Sequence, residues 1–192
     1  VREKLHYGED NILTVKVNSR EDLNIPPFGF VIDYMTYGGI YRDVYLEVRN
    51  PEHLTDVFVK PRVFMESGNC RQITLTSEVS LNYSGKKAQI RQWIRKKGSG
   101  DYSLLGELEV AGVKELPKGG GAVDERLAKC TRNLDFSDPA LFDQIELWDL
   151  NNPVLYEVKT ELCRDGEVLD EQIVTTGFRS AEIRKDGFYL NG

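Results

Sequence analysis

The stretch RQITLTSEVSL (71–81) alternates strictly, with Ile73, Leu75, Val79 and Leu81 on one side of an extended chain. Thr74, Thr76, Glu78 and Ser80 fall on the other side. A two-residue period buries one face of a sheet and scatters its apolar residues around a helix, so it predicts a strand. The same period recurs along the chain. NILTVKV places Leu13, Val15 and Val17 together, and DVYLEV does the same for Val44, Leu46 and Val48. DVFVKPRVFM sets Val57 and Val59 in register before Pro61, a residue suited to an edge or a bulge. KAQIRQWI, GELEV and VLYEVKTEL follow, the last through Tyr156, Val158 and Leu162. NYSGKK, KKGSGD, KGGG and CRDGE punctuate these runs, and Asp165-Gly166 predicts a tight hairpin. Helical periodicity is nearly absent; FSDPALFDQ suits a single turn with Ser137 or Asp138 capping and Pro139 first. Short strands at regular spacing predict an all-β protein, and some seven of them between residue 57 and about 181 match an immunoglobulin-like β-sandwich.

RNPEHLTD (49–56) is the natural domain boundary, because Asn-Pro interrupts pairing between a strand ending at Val48 and one starting near Val57. Residues 1–48 hold two strong strands and a long loop. Two strands cannot enclose a core, so this part must pair with something else. KELPKGGG reads as an exposed loop within the second domain. The chain starts VREKLHYGED, without an initiator Met or signal-peptide character, which predicts a piece cut from something longer.

Composition closes several functional routes. Forty per cent hydrophobic residues suffice for a packed core. A net charge of −6 repels phosphate backbones and argues against nucleic acid as a partner. The one basic run, RQWIRKK, sets Ile90 and Ile94 opposite Arg91, Trp93 and Arg95, so it reads as a solvated strand face. Three dispersed cysteines, Cys70, Cys130 and Cys163, suggest buried reduced thiols rather than a disulfide frame or zinc knuckle. The two histidines, His6 and His53, lie in no metal-like cluster, so neither metal nor cofactor is expected. No apolar run reaches membrane-spanning length. Ser-His-Asp catalysis lacks a G-x-S-x-G, and KGGGAVDE lacks the Lys-Ser/Thr of a phosphate loop. With 31 acidic residues, carboxylate pairs alone say nothing.

IDYMTYGGIYRDVYLEV (32–48) remains. Asp33, Tyr34 and Tyr37 crowd a Gly38-Gly39 pair at the mouth of a strand. The glycines permit positive φ or a close backbone approach. A carboxylate that accepts hydroxyl protons beside flat tyrosine faces suits a polyhydroxylated ligand. Asp beside Tyr and Gly equally suits a plain turn. Both readings stay open on the residues themselves.

NIPPFGFVIDYMTYGGIYRDVYLEV resembles the end of the sugar-binding-like β-domain of glycoside hydrolase family 2, the β-galactosidase and β-glucuronidase family, through Asp33, Gly39-Ile40, Arg42 and the Val44-Leu46 strand. LWDLNNPVLYEVKTEL is similar to that family's W-x3-N-P-x-L-Y pattern at Trp148, Asn152, Pro153, Leu155 and Tyr156. TTGFRSAEI resembles its G-F-R exit strand at Gly177, Phe178 and Arg179, and KDGFYLNG resembles the entrance to a catalytic barrel, with the turn at Asn191-Gly192. The resemblance implies the last part of a jelly-roll domain at 1–48, a complete immunoglobulin-like sandwich at 49–182, and the start of a (β/α)8 barrel at 183–192. It also implies a retaining glycosidase whose acid/base and nucleophilic glutamates lie on the barrel. No catalytic residue is then expected in this chain, which by itself should be inactive. Asp33 matches the position whose loop contacts sugar hydroxyls in the complete enzyme, with Tyr34 and Tyr37 beside it. Arg42 is expected to be structural, Trp148 and Tyr156 to be core or interface aromatics, and Arg179 to secure the link to the barrel.

The first reading is therefore a non-catalytic segment of a retaining glycosidase, a β-galactosidase foremost. It would brace the barrel and lend the Asp33 loop to a β-linked glycoside. The alternative is a stand-alone immunoglobulin-like carbohydrate-binding or adhesion module, and a third is a scaffold with no ligand contact. The strand edge left by an incomplete jelly roll could pair such fragments into a homo-oligomer that the intact protein would not form. Reduced cysteines fit a periplasmic or a cytoplasmic bacterial protein alike.

Overall fold

A computed structural model describes residues 4–18, 24, 38–83, 86–110, 128–136 and 144–192. The chain divides into two compact units, Val1–Glu47 and Val48–Gly192. The FSDPALFDQ turn, apart from Phe136 and Gln144, and the KELPKGGG loop lie outside the described residues.

In the second unit seven strands form two sheets. They are β1 (His53–Glu66), β2 (Asn69–Tyr83), β3 (Ala88–Lys96), β4 (Ser103–Val110), β5 (Ala128–Phe136), β6 (Tyr156–Arg164) and β7 (Glu167–Thr176). One sheet runs β1-β2-β5 and the other β4-β3-β6-β7, with every pairing between neighbours antiparallel. No α-helix occurs among the described residues. The all-β sandwich expected from the two-residue period is the observed fold. The strands begin at His53, four residues before the predicted start at Val57. β4 joins the sheet of β3, so that sheet carries four strands and the β1 sheet three.

Alternation explains the core. Ile73, Leu75, Val79 and Leu81 are all buried, facing Ile90, Ile94, Val158 and Leu162 of the other sheet. Burying a side chain such as Leu75 contributes about 1.5–3 kcal/mol by removing its apolar surface from water. Pro61 lies on the edge strand β1, opposite Leu75, where its missing N–H interrupts no second ladder. Leu54 N donates to Asp170 Oδ2 at 2.8 Å, linking β1 to β7, and Tyr83 OH donates to Val110 O at 3.1 Å, linking β2 to β4. Both bonds cross from one sheet to the other.

The hairpin turns follow local chemistry. Asp165 and Gly166 take φ of 51° and 85°, as a type I′ turn between β6 and β7 requires. Ser67 and Gly68 do the same between β1 and β2, at φ of 51° and 77°.

Three expectations change. The runs 11–17 and 44–48 carry no strand pairing among the described residues, and Leu13, Val44 and Leu46 stand exposed. A strand exists only with a ladder partner, and this unit's described residues provide none. Cys163 is buried as expected, but Cys70 is exposed where the start of β2 runs beyond the core. Finally, the face carrying Arg91 and Arg95 is half-buried rather than freely solvated.

Candidate functional site

Asp33, Tyr34 and Tyr37 lie outside the described residues. The base of their loop is described. Gly39 has φ of 94°, and a Cβ placed there would meet nothing within 4 Å. The glycine is thus used for its left-handed backbone, not for close packing. Ile40 and Tyr41 are exposed, and the Arg42 guanidinium lies 5.5 Å from the Tyr41 ring centroid.

The W-x3-N-P-x-L-Y and G-F-R residues converge in the sandwich unit. Trp148 N donates to Phe178 O at 2.8 Å, and the Arg179 guanidinium lies 4.9 Å above the Trp148 ring. Tyr156 meets Phe178 edge-on at 5.3 Å, and its hydroxyl accepts from Glu146 N at 2.9 Å. A Cβ on Gly177 would stand 3.3 Å from Trp148 Cβ and Cδ1, so any larger residue must push the indole back by a few tenths of an ångström. Asn152 O accepts from the amides of Asp149 and Val154, shaping the loop before Pro153. Tyr156 and Phe178 are buried in the core, and the Arg179 guanidinium covers the half-buried Trp148 ring.

An ionic network on the outer face of the four-stranded sheet was not read from the sequence. Arg95 Nε donates to Glu157 Oε2 at 2.7 Å, Lys159 Nζ to Glu161 Oε1 at 2.6 Å and Trp93 Nε1 to Glu161 Oε2 at 3.0 Å. Arg91 donates twice to Cys163 Sγ, from Nε at 3.1 Å and Nη2 at 2.9 Å. Arg95 and Lys159 both lie over the Tyr102 ring. The available signal was charge alternation on two runs that pair: Arg91 opposite Glu161, and Arg95 opposite Glu157.

The shifts show what such a network can do. Burial works against ionised Glu161, yet the hydrogen bonds from Lys159 and Trp93 hold its carboxyl below the ordinary range. The hydrogen bond from Arg95 does the same for Glu157, and that from Lys96 for Glu146. A carboxyl kept ionised in this way is a poor proton donor, whereas a glycosidase acid needs its pKa raised. Among the described residues no group of three or more His, Cys, Asp or Glu could hold a metal ion. None of their helices is long and apolar enough to cross a membrane.

Comparison with known proteins places this geometry. The family described as glycosyl hydrolases family 2 matches residues 52–179. A β-galactosidase of Thermoanaerobacter pseudethanolicus is 30% identical over all of this chain, which covers 23% of that enzyme. A β-glucuronidase of Bacteroides fragilis is 26% identical, again over all of this chain and 26% of the relative. Among solved structures, a variant of Bacteroides uniformis β-glucuronidase 2 shares the fold, with a TM-score of 0.64 and 23% identity over 92% of this chain and 20% of that one. The chain thus spans about a quarter of the curated relatives it matches.

Proposed function

Since the chain belongs to glycosyl hydrolase family 2, we propose that it is a non-catalytic segment of a retaining glycosidase, foremost a β-galactosidase. Its sandwich braces a catalytic barrel, and its Asp33 loop reaches the sugar-binding subsite of the complete enzyme. The observation carrying this reading is the match of the whole chain to only 23% of a β-galactosidase. Retaining hydrolysis needs two carboxyl groups about 5–5.5 Å apart, one of them with a raised pKa. The carboxyls shifted among the described residues, Glu146, Glu157, Glu161 and Asp186, are all shifted down. The fitting role is support and positioning.

Asp33→Ala in the full-length protein tests the reading on an aryl β-galactoside. Loss of a charged hydrogen bond to substrate should lower kcat/KM by about 10- to 100-fold. Unchanged turnover and affinity would leave the loop purely structural. Sugar binding by the 192-residue chain, with no hydrolysis by the full-length protein, would instead favour a binding module.

A further inference from the structure

The middle of the sandwich core is polar on both sheets. Along the inner face of β3, Gln92 sits between Ile90 and Ile94; along that of β6, Thr160 sits between Val158 and Leu162. On the facing sheet Ser77 holds the same place between Leu75 and Val79 of β2. Ser77, Gln92 and Thr160 are all fully buried, at central positions where an apolar side chain would ordinarily stand. The row continues onto β7. Thr160 lies opposite Gln92 on one side and opposite Gln172 on the other, so the three side chains cross β3, β6 and β7 on one face.

Their hydrogen bonds do not close. Gln92 Nε2 donates to Thr160 Oγ1 at 2.7 Å. The proton of that hydroxyl meets no acceptor among the described residues. Gln92 Oε1 and Gln172 Oε1 are buried and meet no donor there, and Ser77 Oγ has no partner among them either. Buried polar atoms are rarely left so, because the unfolded chain has water on each of them. The unmet needs are specific: two carbonyl oxygens each want a donor, and one hydroxyl wants an acceptor.

We propose that a single internal water molecule binds between Gln92, Thr160 and Gln172. It accepts from Thr160 Oγ1, and its two O–H groups donate to Gln92 Oε1 and Gln172 Oε1. One molecule thus meets all three needs, and about three bonds is the usual complement of a buried water. The reach is suitable. Neighbouring strands lie about 4.8 Å apart, so the two glutamine backbones flank Thr160 at about 10 Å from each other, and two O–H···O bonds of about 2.8 Å bridge the amide oxygens between them. Ser77, the smallest side chain in the inner row of β2 from Ile73 to Leu81, leaves room in the middle of the core. The three groups carry no charge, which favours a neutral ligand over a buried ion. Bound there, the water ties β7 to β6 and β3 through side chains as well as through the backbone ladder.

A high-resolution crystal structure of the full-length protein tests this. The wild type should show one isolated density peak within about 2.6–3.2 Å of Gln92 Oε1, Thr160 Oγ1 and Gln172 Oε1. Gln92→Met with Thr160→Val removes two of the three partners and should abolish the peak while β3, β6 and β7 keep their places. Should that variant fail to fold, the wild-type map decides alone. A wild type without the peak, its glutamine amides bonded instead to other protein groups or to none, overturns the site. A peak that persists in the double variant shows a water held by other residues, and overturns it as well.

Discussion

Gln92 and Thr160 are a polar pair set directly opposite one another on the inner face of the sandwich, both fully buried. Gln92 Nε2 donates to Thr160 Oγ1 at 2.7 Å, while Gln92 Oε1 has no hydrogen-bond partner among the described residues. Their neighbours on the same face are Ile90, Ile94, Val158 and Leu162. Thr160→Val keeps the shape but removes the acceptor, leaving the whole Gln92 amide without a partner. That should cost about 1–3 kcal/mol, the desolvation of an orphaned polar group. Adding Gln92→Met removes the amide, including the oxygen that no described residue satisfies. The double variant should therefore fall within about 1 kcal/mol of wild type or above it. The coupling between the sites is then about 1–3 kcal/mol, and it opposes the sum of the single effects. Urea unfolding followed by tryptophan fluorescence measures it, because both tryptophans, Trp93 and Trp148, belong to the sandwich unit. A double variant destabilised by the sum of the two single changes would refute the argument.

Glu146, Glu157 and Glu161 have lowered pKa values in the folded protein, so their contribution is complete above the unfolded carboxylate value of about 4.3 and is lost as pH falls through the folded values. Urea midpoints should stay level from about pH 7 to 5 and fall below about pH 4; a level midpoint into that acid range contradicts the network. Gly177→Ala drives a methyl group into Trp148 and Leu155 and should lower stability by about 1–3 kcal/mol. Trp148 emission should shift with it, and an unshifted spectrum with unchanged melting would show that the indole has room to move.

The strand faces of the sandwich were legible because the pleat is local. Every apolar residue assigned to the inner side of 71–81 is buried. Ser77 shares that face and is buried too, although the apolar pattern passed over it. The Gly38-Gly39 pair was legible as permitting a positive φ or a close backbone approach, and Gly39 takes the first. The role of Gly177 was not, since its need for glycine comes from Trp148, 29 residues earlier in the sequence. The ionic face was misjudged for a similar reason. RQWIRKK shows only cations until β3 lies beside β6, whose Glu157 and Glu161 neutralise them.

Residue order alone set the inward side of the strands at 71–81, 90–94 and 156–162 and the reversal at Asp165-Gly166. Side-chain alternation and positive φ belong to a residue and its immediate neighbours. The tertiary structure decided that β4 completes the four-stranded sheet, that Gln92 meets Thr160, and that the runs at 11–17 and 44–48 find no ladder partner among the described residues. Those outcomes depend on a second segment distant in sequence, and an alternating pattern encodes a face without naming its partner.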